Sequence, residues 1–323
     1  MDYNDEMFET PQLSIVVPLY NETLSFPHLI KRLDDLINTL SITIEVVLVD
    51  DGSKDDTAQL IQQLALTNEK YTGVFLSRNY GHQTALSAGL AEARGTEAIM
   101  IIDGDLQDPP ELLHEFYERF KEGYDVVYAI RKKRKEGPFK RIAYYLFYRI
   151  LNSISQINIP LDSGDFSLLS RRIVNILNKM PEESRYIRGM RTWIGFRQIG
   201  VEYSRDGRIA GSSKYSLKML IKLAYNGIFN FSEFPIKFIT QLGFLSLAIS
   251  MVFIAITLIK KFFYGSVPEG YTSLLMAIVL FSGVQLISLG IIGEYIVRIF
   301  FQVKGRPLYS IKSKIVRKQL VDE

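Results

Sequence analysis

The chain of 323 residues contains no cysteine. Disulfides and thiolate metal sites are therefore excluded, and a reducing compartment is suited without being required. Histidine is almost as scarce: His28, His82 and His114 stand at no metal-ligand spacing, so no zinc site is expected. No GxxxxGK[ST] segment occurs, and no GxGxxG follows a strand-like run. These absences argue against a P-loop ATPase and a dinucleotide-dependent dehydrogenase. The net charge of +3 is too small to point to nucleic acid. Residues 1–11 are acidic and lack the apolar core of a signal peptide, so the first 230 or so residues are expected in the cytoplasm.

Charge is missing from two places. Phe238 to Ile259 and Thr272 to Gly293 are 22-residue runs without a charged side chain. As helices each would extend roughly 33 Å, enough for a bilayer core of about 30 Å. The tail beyond them carries Arg298, Lys304, Arg306, Lys312, Lys314, Arg317 and Lys318, and the positive-inside rule assigns it to the cytoplasm. Two spans return the chain to the side it left, so both ends are expected there. The predicted organisation is a cytoplasmic domain over 1–232, a two-helix membrane region over 233–300 with spans at about 238–259 and 272–293, and a basic cytoplasmic tail over 301–323. Two thin spans also make a homo-oligomer plausible.

Apolar runs at 13–20, 43–51, 72–77, 98–103 and 125–130 read as strands buried on both faces. Helical patterns lie between them at about 24–40, 54–68, 82–94 and 109–122. This alternation predicts a doubly wound, mostly parallel α/β sheet. Such sheets bind ligands beyond the carboxyl ends of their strands. Here those ends are acidic: "PLYNE" (18–22), "VDDGSKDDT" (49–57) and "DGD" (103–105). Ser53 with Asp56 also fits a capping box for the next helix, and Pro109–Pro110 suit a helix start. Asp103-Gly104-Asp105 is the only D-x-D in the chain. Two carboxylates so spaced, with glycine freeing the backbone, can reach one Mg²⁺ or Mn²⁺ whose other ligands are phosphate oxygens and water. The pattern points to a diphosphate substrate.

"VVPLYNE" (16–22), "VLVDDGSKDDT" (47–57), "IDGDLQDPPE" (102–111) and "RIAGSSKYS" (208–216), followed by two spans and "VKGRPLY" (303–309), resemble the motif series of family 2 inverting glycosyltransferases. The resemblance runs from about residue 12 to 310. It is closest to the branch that makes polyprenyl-phosphate sugars, the dolichol-phosphate mannose synthases and bacterial bactoprenol glucosyltransferases. It implies a GT-A nucleotide-sugar fold at a bacterial inner membrane. It also implies that Pro18, Tyr20, Glu22 and Asp50 line the base and ribose, with Asp51 beside them. Asp103 and Asp105 would hold the diphosphate and metal, Asp105 the more directly, with Gln107 in support. Asp165 in "LDSGDFSLLSRR" (161–172) matches the acceptor-side carboxylate, and Arg208 and Lys214 match phosphate contacts. Many relatives carry arginine where this chain has Ser167, so that contact must come from Arg131 or Arg134, or be absent.

The implied donor is a nucleotide sugar, UDP-glucose first, with GDP-mannose and UDP-N-acetylglucosamine in reserve. The implied acceptor is a membrane polyprenyl phosphate. Two segments suit the bilayer surface, about 138–156 and 213–231. The second places Leu217, Leu220, Ile221, Ala224, Ile228 and Phe231 opposite Lys214, Lys218 and Lys222. Trp193 is expected to pack in the core or support an acceptor loop. Two alternatives stay open: transfer to another lipid, diacylglycerol or ceramide, or a non-catalytic sugar-nucleotide-binding subunit.

Overall fold

The computed structural model describes residues 10–131, 163–204, 234–264 and 270–321. Two compact units emerge. Described residues of the first are 10–131, 163–204 and 307–321; those of the second are 234–264 and 270–306.

The first unit begins with β1 (Leu13–Leu19), α1 (Phe26–Thr39), β2 (Ile44–Asp50), α2 (Thr57–Thr67), β3 (Tyr71–Leu76), α3 (His82–Glu92) and β4 (Ala98–Ile101). A short 3₁₀ turn, Pro110–Leu112, opens α4 (Leu113–Lys121). Then come β5 (Val126–Arg131), β6 (Ser163–Ser170), α5 (Arg171–Lys179), α6 (Ile187–Ile194) and β7 (Gln198–Tyr203). After the second unit the chain returns as β8 (Ile311–Val316) and β9 (Gln319–Val321). The sheet order is β7-β5-β6-β4-β1-β2-β3-β8-β9. Strands β4, β1, β2 and β3 are parallel, whereas β6 runs antiparallel to both neighbours and β8 antiparallel to β3.

Every residue of β1, β2, β3 and β4 is buried, as continuous apolar runs require of central parallel strands. Pro18 sits near the end of β1 and terminates its ladder to β4. The Val16 carbonyl accepts Ile102 N–H on the β4 side, so residue 18 faces that side too. The β1–β4 ladder accordingly ends at Val16 and Ile101, since residue 18 has no N–H to continue it. Phe116 of α4, Phe166 of β6 and Tyr203 of β7 stack beneath this end at centroid distances of 5.1 and 5.8 Å.

Several expectations change. β6 and β7 were not legible as strands. The basic tail folds back: β8 pairs with β3, buries Ile315 fully and sets Lys314 3.3 Å from Glu92. Ser53 does not box the start of α2; its hydroxyl accepts Asn21 N–H, and Asp56 makes no side-chain cap. Trp193 is 64% exposed and so is not a core residue.

In the second unit, α7 (Phe234–Tyr264) and α8 (Tyr271–Lys304) cover the two predicted apolar runs. Among the described residues only one stretch, Phe281–Lys304, is long and apolar enough to cross a membrane by length and composition. It lies later than the expected second span and includes Glu294 and Arg298, which pair one helical turn apart at 3.0 Å.

Candidate active site

The carboxyl ends of β1 and β2 are laced together. Asn21, in the left-handed conformation (φ 54), donates its N–H to Ser53 Oγ and accepts Lys54 N–H on Oδ1. Glu22 N–H donates to Thr57 Oγ1, and the Glu22 carboxylate accepts the Ser25 hydroxyl at 2.7 Å. Asp50 is buried and accepts Ser53 N–H on both oxygens. Asp51 accepts Tyr80 N–H at 2.7 Å and Gly81 N–H at 2.9 Å, which fixes the loop ahead of α3. Burial pushes both aspartates above the usual carboxylate range. Gly52 lets this turn close, with φ of 66° and Arg78 backbone 2.5 Å from where a Cβ would stand. Pro18, Tyr20, Glu22, Asp50 and Asp51 thus share one edge. Both Asp51 oxygens, however, already serve backbone N–H groups.

The D-x-D loop follows β4. Gly104 does not adopt a left-handed backbone; Leu106 does, at φ 58. Glycine is required there for space, because a Cβ would lie 2.3 Å from Leu19 Cδ2. Asp105 Oδ1 accepts Gln107 N–H at 3.2 Å. Asp108, absent from the sequence-derived set, is fully buried and accepts the Tyr203 hydroxyl. Arg131 stands 3.9 Å from Asp108 and donates to the Tyr203 oxygen at 3.3 Å. This cation therefore sits with Asp108 and Tyr203 at the ends of β5 and β7. Arg208, Lys214 and Arg134 lie outside the described residues, as do both candidate interfacial segments.

Asp165 reaches the same place from β6. The antiparallel β4–β6 register pairs Ile101 with Ser167. Two residues further along each strand, Asp103 and Asp165 fall opposite one another. His82, at the start of α3, lies 3.5 Å from Asp103 Oδ1 and 3.7 Å from Asp165 Oδ2. Gln83 Nε2 donates to Asp165 Oδ2 at 2.7 Å, and Gln83 Oε1 accepts Ile187 N–H at 2.8 Å. Ser167, where an arginine was looked for, is fully buried and donates its hydroxyl to the Asp165 carbonyl.

The two carboxylates are tuned apart. Burial pushes Asp103 up to about 6 against the opposing pull of His82. Burial alone would raise Asp165 too, but His82, Arg188 and Arg191 outweigh it and hold Asp165 well below the usual range. Burial by itself would lower His82; Asp103, Asp165 and Asp51 together raise it to about 9. Arg191 is completely buried and donates to the Gly164 carbonyl at 3.2 Å, and burial brings it down to about 10. Arg188 donates to the Ser163 carbonyl at 2.6 Å. The spacing Arg185, Arg188, Arg191 in "RYIRGMR" could have marked a basic helical face. His82 and Gln83 could have been found only as the residues following glycine beyond the end of β3.

Asp103 Oδ1 is buried without a hydrogen-bond partner among the described residues. This buried oxygen, faced by His82 Nε2 at 3.5 Å and followed by Asp105 two residues on, fits a hard divalent cation that takes one or two protein carboxylates. Among the described residues no group of three or more His, Asp or Glu side chains is arranged to hold a metal ion. A metal here would draw its remaining ligands from substrate and water.

The paired carboxylates at this edge of an α/β sheet lie within a recognised sequence family: residues 14–177 match glycosyl transferase family 2. The chain belongs to that family. It is 43% identical over 302 residues to an uncharacterized glycosyltransferase, YkcC, of Bacillus subtilis (strain 168), covering 93% of each chain. It is 38% identical over 302 residues to the SfII prophage-derived bactoprenol glucosyl transferase of Shigella flexneri, covering 93% of this chain and 97% of the relative. A crystal structure of S. aureus TarS 1–349 in complex with UDP-GlcNAc matches 68% of this chain and 67% of that one at 16% identity and a TM-score of 0.46.

Proposed function

We propose that this glycosyltransferase moves a glucosyl group from UDP-glucose to a membrane polyprenyl phosphate, with inversion at the anomeric carbon. The observation that carries the proposal is the meeting of Asp103 and Asp165 across β4 and β6, with His82 within 3.7 Å of both. One carboxylate comes from the diphosphate-type D-x-D loop, the other from a separate strand. A donor-side and an acceptor-side group are what a two-substrate transfer needs. The glucosyl donor and lipid acceptor follow the name of the Shigella relative, a bactoprenol glucosyl transferase.

In this reading an oxygen of the lipid phosphate attacks the anomeric carbon. The bond from that carbon to the nucleoside diphosphate breaks, and its electron pair leaves with the diphosphate. The phosphate monoester has a second pKa near 6, so it is largely ionised at neutral pH and needs little general-base help. Asp165 orients the acceptor; held well below the usual carboxylate range, it stays ionised at neutral pH and is a weak base toward a phosphate, so its role is positioning. Arg208 and Lys214 bind phosphate. Pro18, Tyr20, Glu22 and Asp50 bind the nucleoside, with Gln107 supporting the donor. Asp103 and Asp105 would hold Mg²⁺ or Mn²⁺, which when bound supplies positive charge to the departing diphosphate.

Strand pairing supports two membrane crossings. β3 precedes α7 and α8, β8 follows them, and the two strands share a ladder. Both strands lie on one side of any bilayer, so a crossing by α8 demands a second between β3 and β8, and α7 is the described helix that suits it. With the basic residues after Gly293, that side is the cytoplasm.

The test is incubation of the purified full chain with UDP-[¹⁴C]glucose, Mn²⁺ and undecaprenyl phosphate, followed by lipid extraction. Label in an acid-labile phosphoglycolipid is expected, and its loss in Asp105→Ala. No labelled lipid despite bound UDP-glucose, or undiminished turnover by Asp105→Ala, overturns the reading.

A further inference from the structure

Resting on the reading of Asp165 as the acceptor-side carboxylate, we propose that Gln83 is the positioning residue that fixes this carboxylate by holding its Oδ2. The orientation of the Gln83 amide follows from chemistry. Ile187 N–H is a donor and can only face the amide oxygen, at 2.8 Å. The amide nitrogen is thereby turned to Asp165 Oδ2, at 2.7 Å. One side chain ties a carboxylate on β6 to the first residue of α6, the helix that carries Arg188 and Arg191. His82 stands against the same oxygen, Oδ2, at 3.7 Å.

The other oxygen is different. Asp165 Oδ1 is buried and has no hydrogen-bond partner among the described residues. A buried carboxylate oxygen left unpaired is costly unless a ligand completes it. Oδ2 is held by groups of α3 and Oδ1 is closed off from solvent, so the Gln83 bond sets how the carboxylate is turned. Gln83 makes no part of the acidic edge itself. Its influence on the reaction runs through Asp165.

Gln83→Glu separates these roles. Glutamate still accepts Ile187 N–H, so the tie to α6 survives. Its second oxygen meets Asp165 Oδ2 with repulsion in place of a donated bond. Gln83→Ala removes both bonds and serves as the second variant. In the full chain with Mn²⁺, kcat and the KM for UDP-glucose and for undecaprenyl phosphate are measured for Gln83→Glu, Gln83→Ala, Asp165→Asn and the Gln83→Glu/Asp165→Asn double variant, and UDP affinity is measured directly. The proposal expects Gln83→Glu and Gln83→Ala to lose about 10- to 100-fold in kcat, the range for a lost bond to a charged group. UDP affinity and the KM for UDP-glucose stay within about twofold. Gln83→Glu costs nothing further once Asp165 is already asparagine. Full kcat in Gln83→Glu beside a slow Asp165→Asn overturns the role of Gln83 and leaves that of Asp165 standing. Equal falls in kcat, UDP affinity and thermal midpoint, or additive losses in the double variant, overturn it as well. Full kcat in Asp165→Asn overturns the reading on which it rests.

Discussion

Replacing Gly104 with alanine would place a Cβ 2.3 Å from Leu19 Cδ2 and 3.3 Å from the Pro18 carbonyl oxygen. Leu19 cannot retreat easily: it is 1% exposed, and its backbone is in register with Asp50 on β2. The D-x-D loop is the part that must move. Because Gly104 is not left-handed, backbone strain contributes nothing and the whole effect is overpacking, about 1–3 kcal/mol. A loop displaced by a few tenths of an ångström to 1 Å carries Asp103 and Asp105 with it, and misplacement on that scale costs up to about 10²-fold in rate. Gly104→Ala should therefore lower the thermal midpoint modestly and turnover severely. Leu19→Val removes the clashing carbon at about 0.5–1.5 kcal/mol and should restore part of the turnover in the Gly104→Ala background. Thermal unfolding and steady-state rates of the four proteins decide the matter. Wild-type turnover in Gly104→Ala, or no recovery with Leu19→Val, refutes the steric reasoning.

Asp51→Asn should destabilise the protein by about 1–3 kcal/mol in denaturant unfolding, because one of two backbone N–H groups then faces an amide NH₂; unchanged stability with a raised KM for donor would return Asp51 to the nucleotide site. His82 is raised from 6.5 to about 9 in the metal-free fold, so its stabilising contribution is complete below pH 6.5 and disappears as pH rises through about 9. Thermal midpoints of EDTA-treated protein should fall across that window more steeply than those of His82→Gln, and parallel curves would rule out the charged imidazole.

The first five strands were readable because each is an apolar run ending in a polar turn, and the alternation with helices implied the parallel pairing that the first four of them make. The acidic edge followed from the same endings. β6 hid because Ser163, Gly164, Asp165 and Ser167 read locally as a loop, and only its place between β4 and β5 makes them strand. β8 hid behind Lys312 and Lys314, which suggested a solvated tail, while the deciding signal was Ile315. Asp103 was recognised from its motif, but its apposition to Asp165 depends on a register between segments more than sixty residues apart. His82 and Gln83 carried only the weak signal of following a glycine beyond β3, since the loop that delivers them is held by Asp51. Arg191 looks like a surface arginine in sequence and is wholly buried in the fold.

The pairing of β8 with β3 also imposes an order of manufacture. When β3 is synthesised its outer edge has no partner, and an open strand edge invites wrong pairings. The partner arrives only after α7 and α8 have been made. A chain interrupted before its helices therefore presents an uncapped sheet, whereas one that continues past them covers that edge with β8. Completion of the sheet is thus reserved for chains that already carry the helical unit.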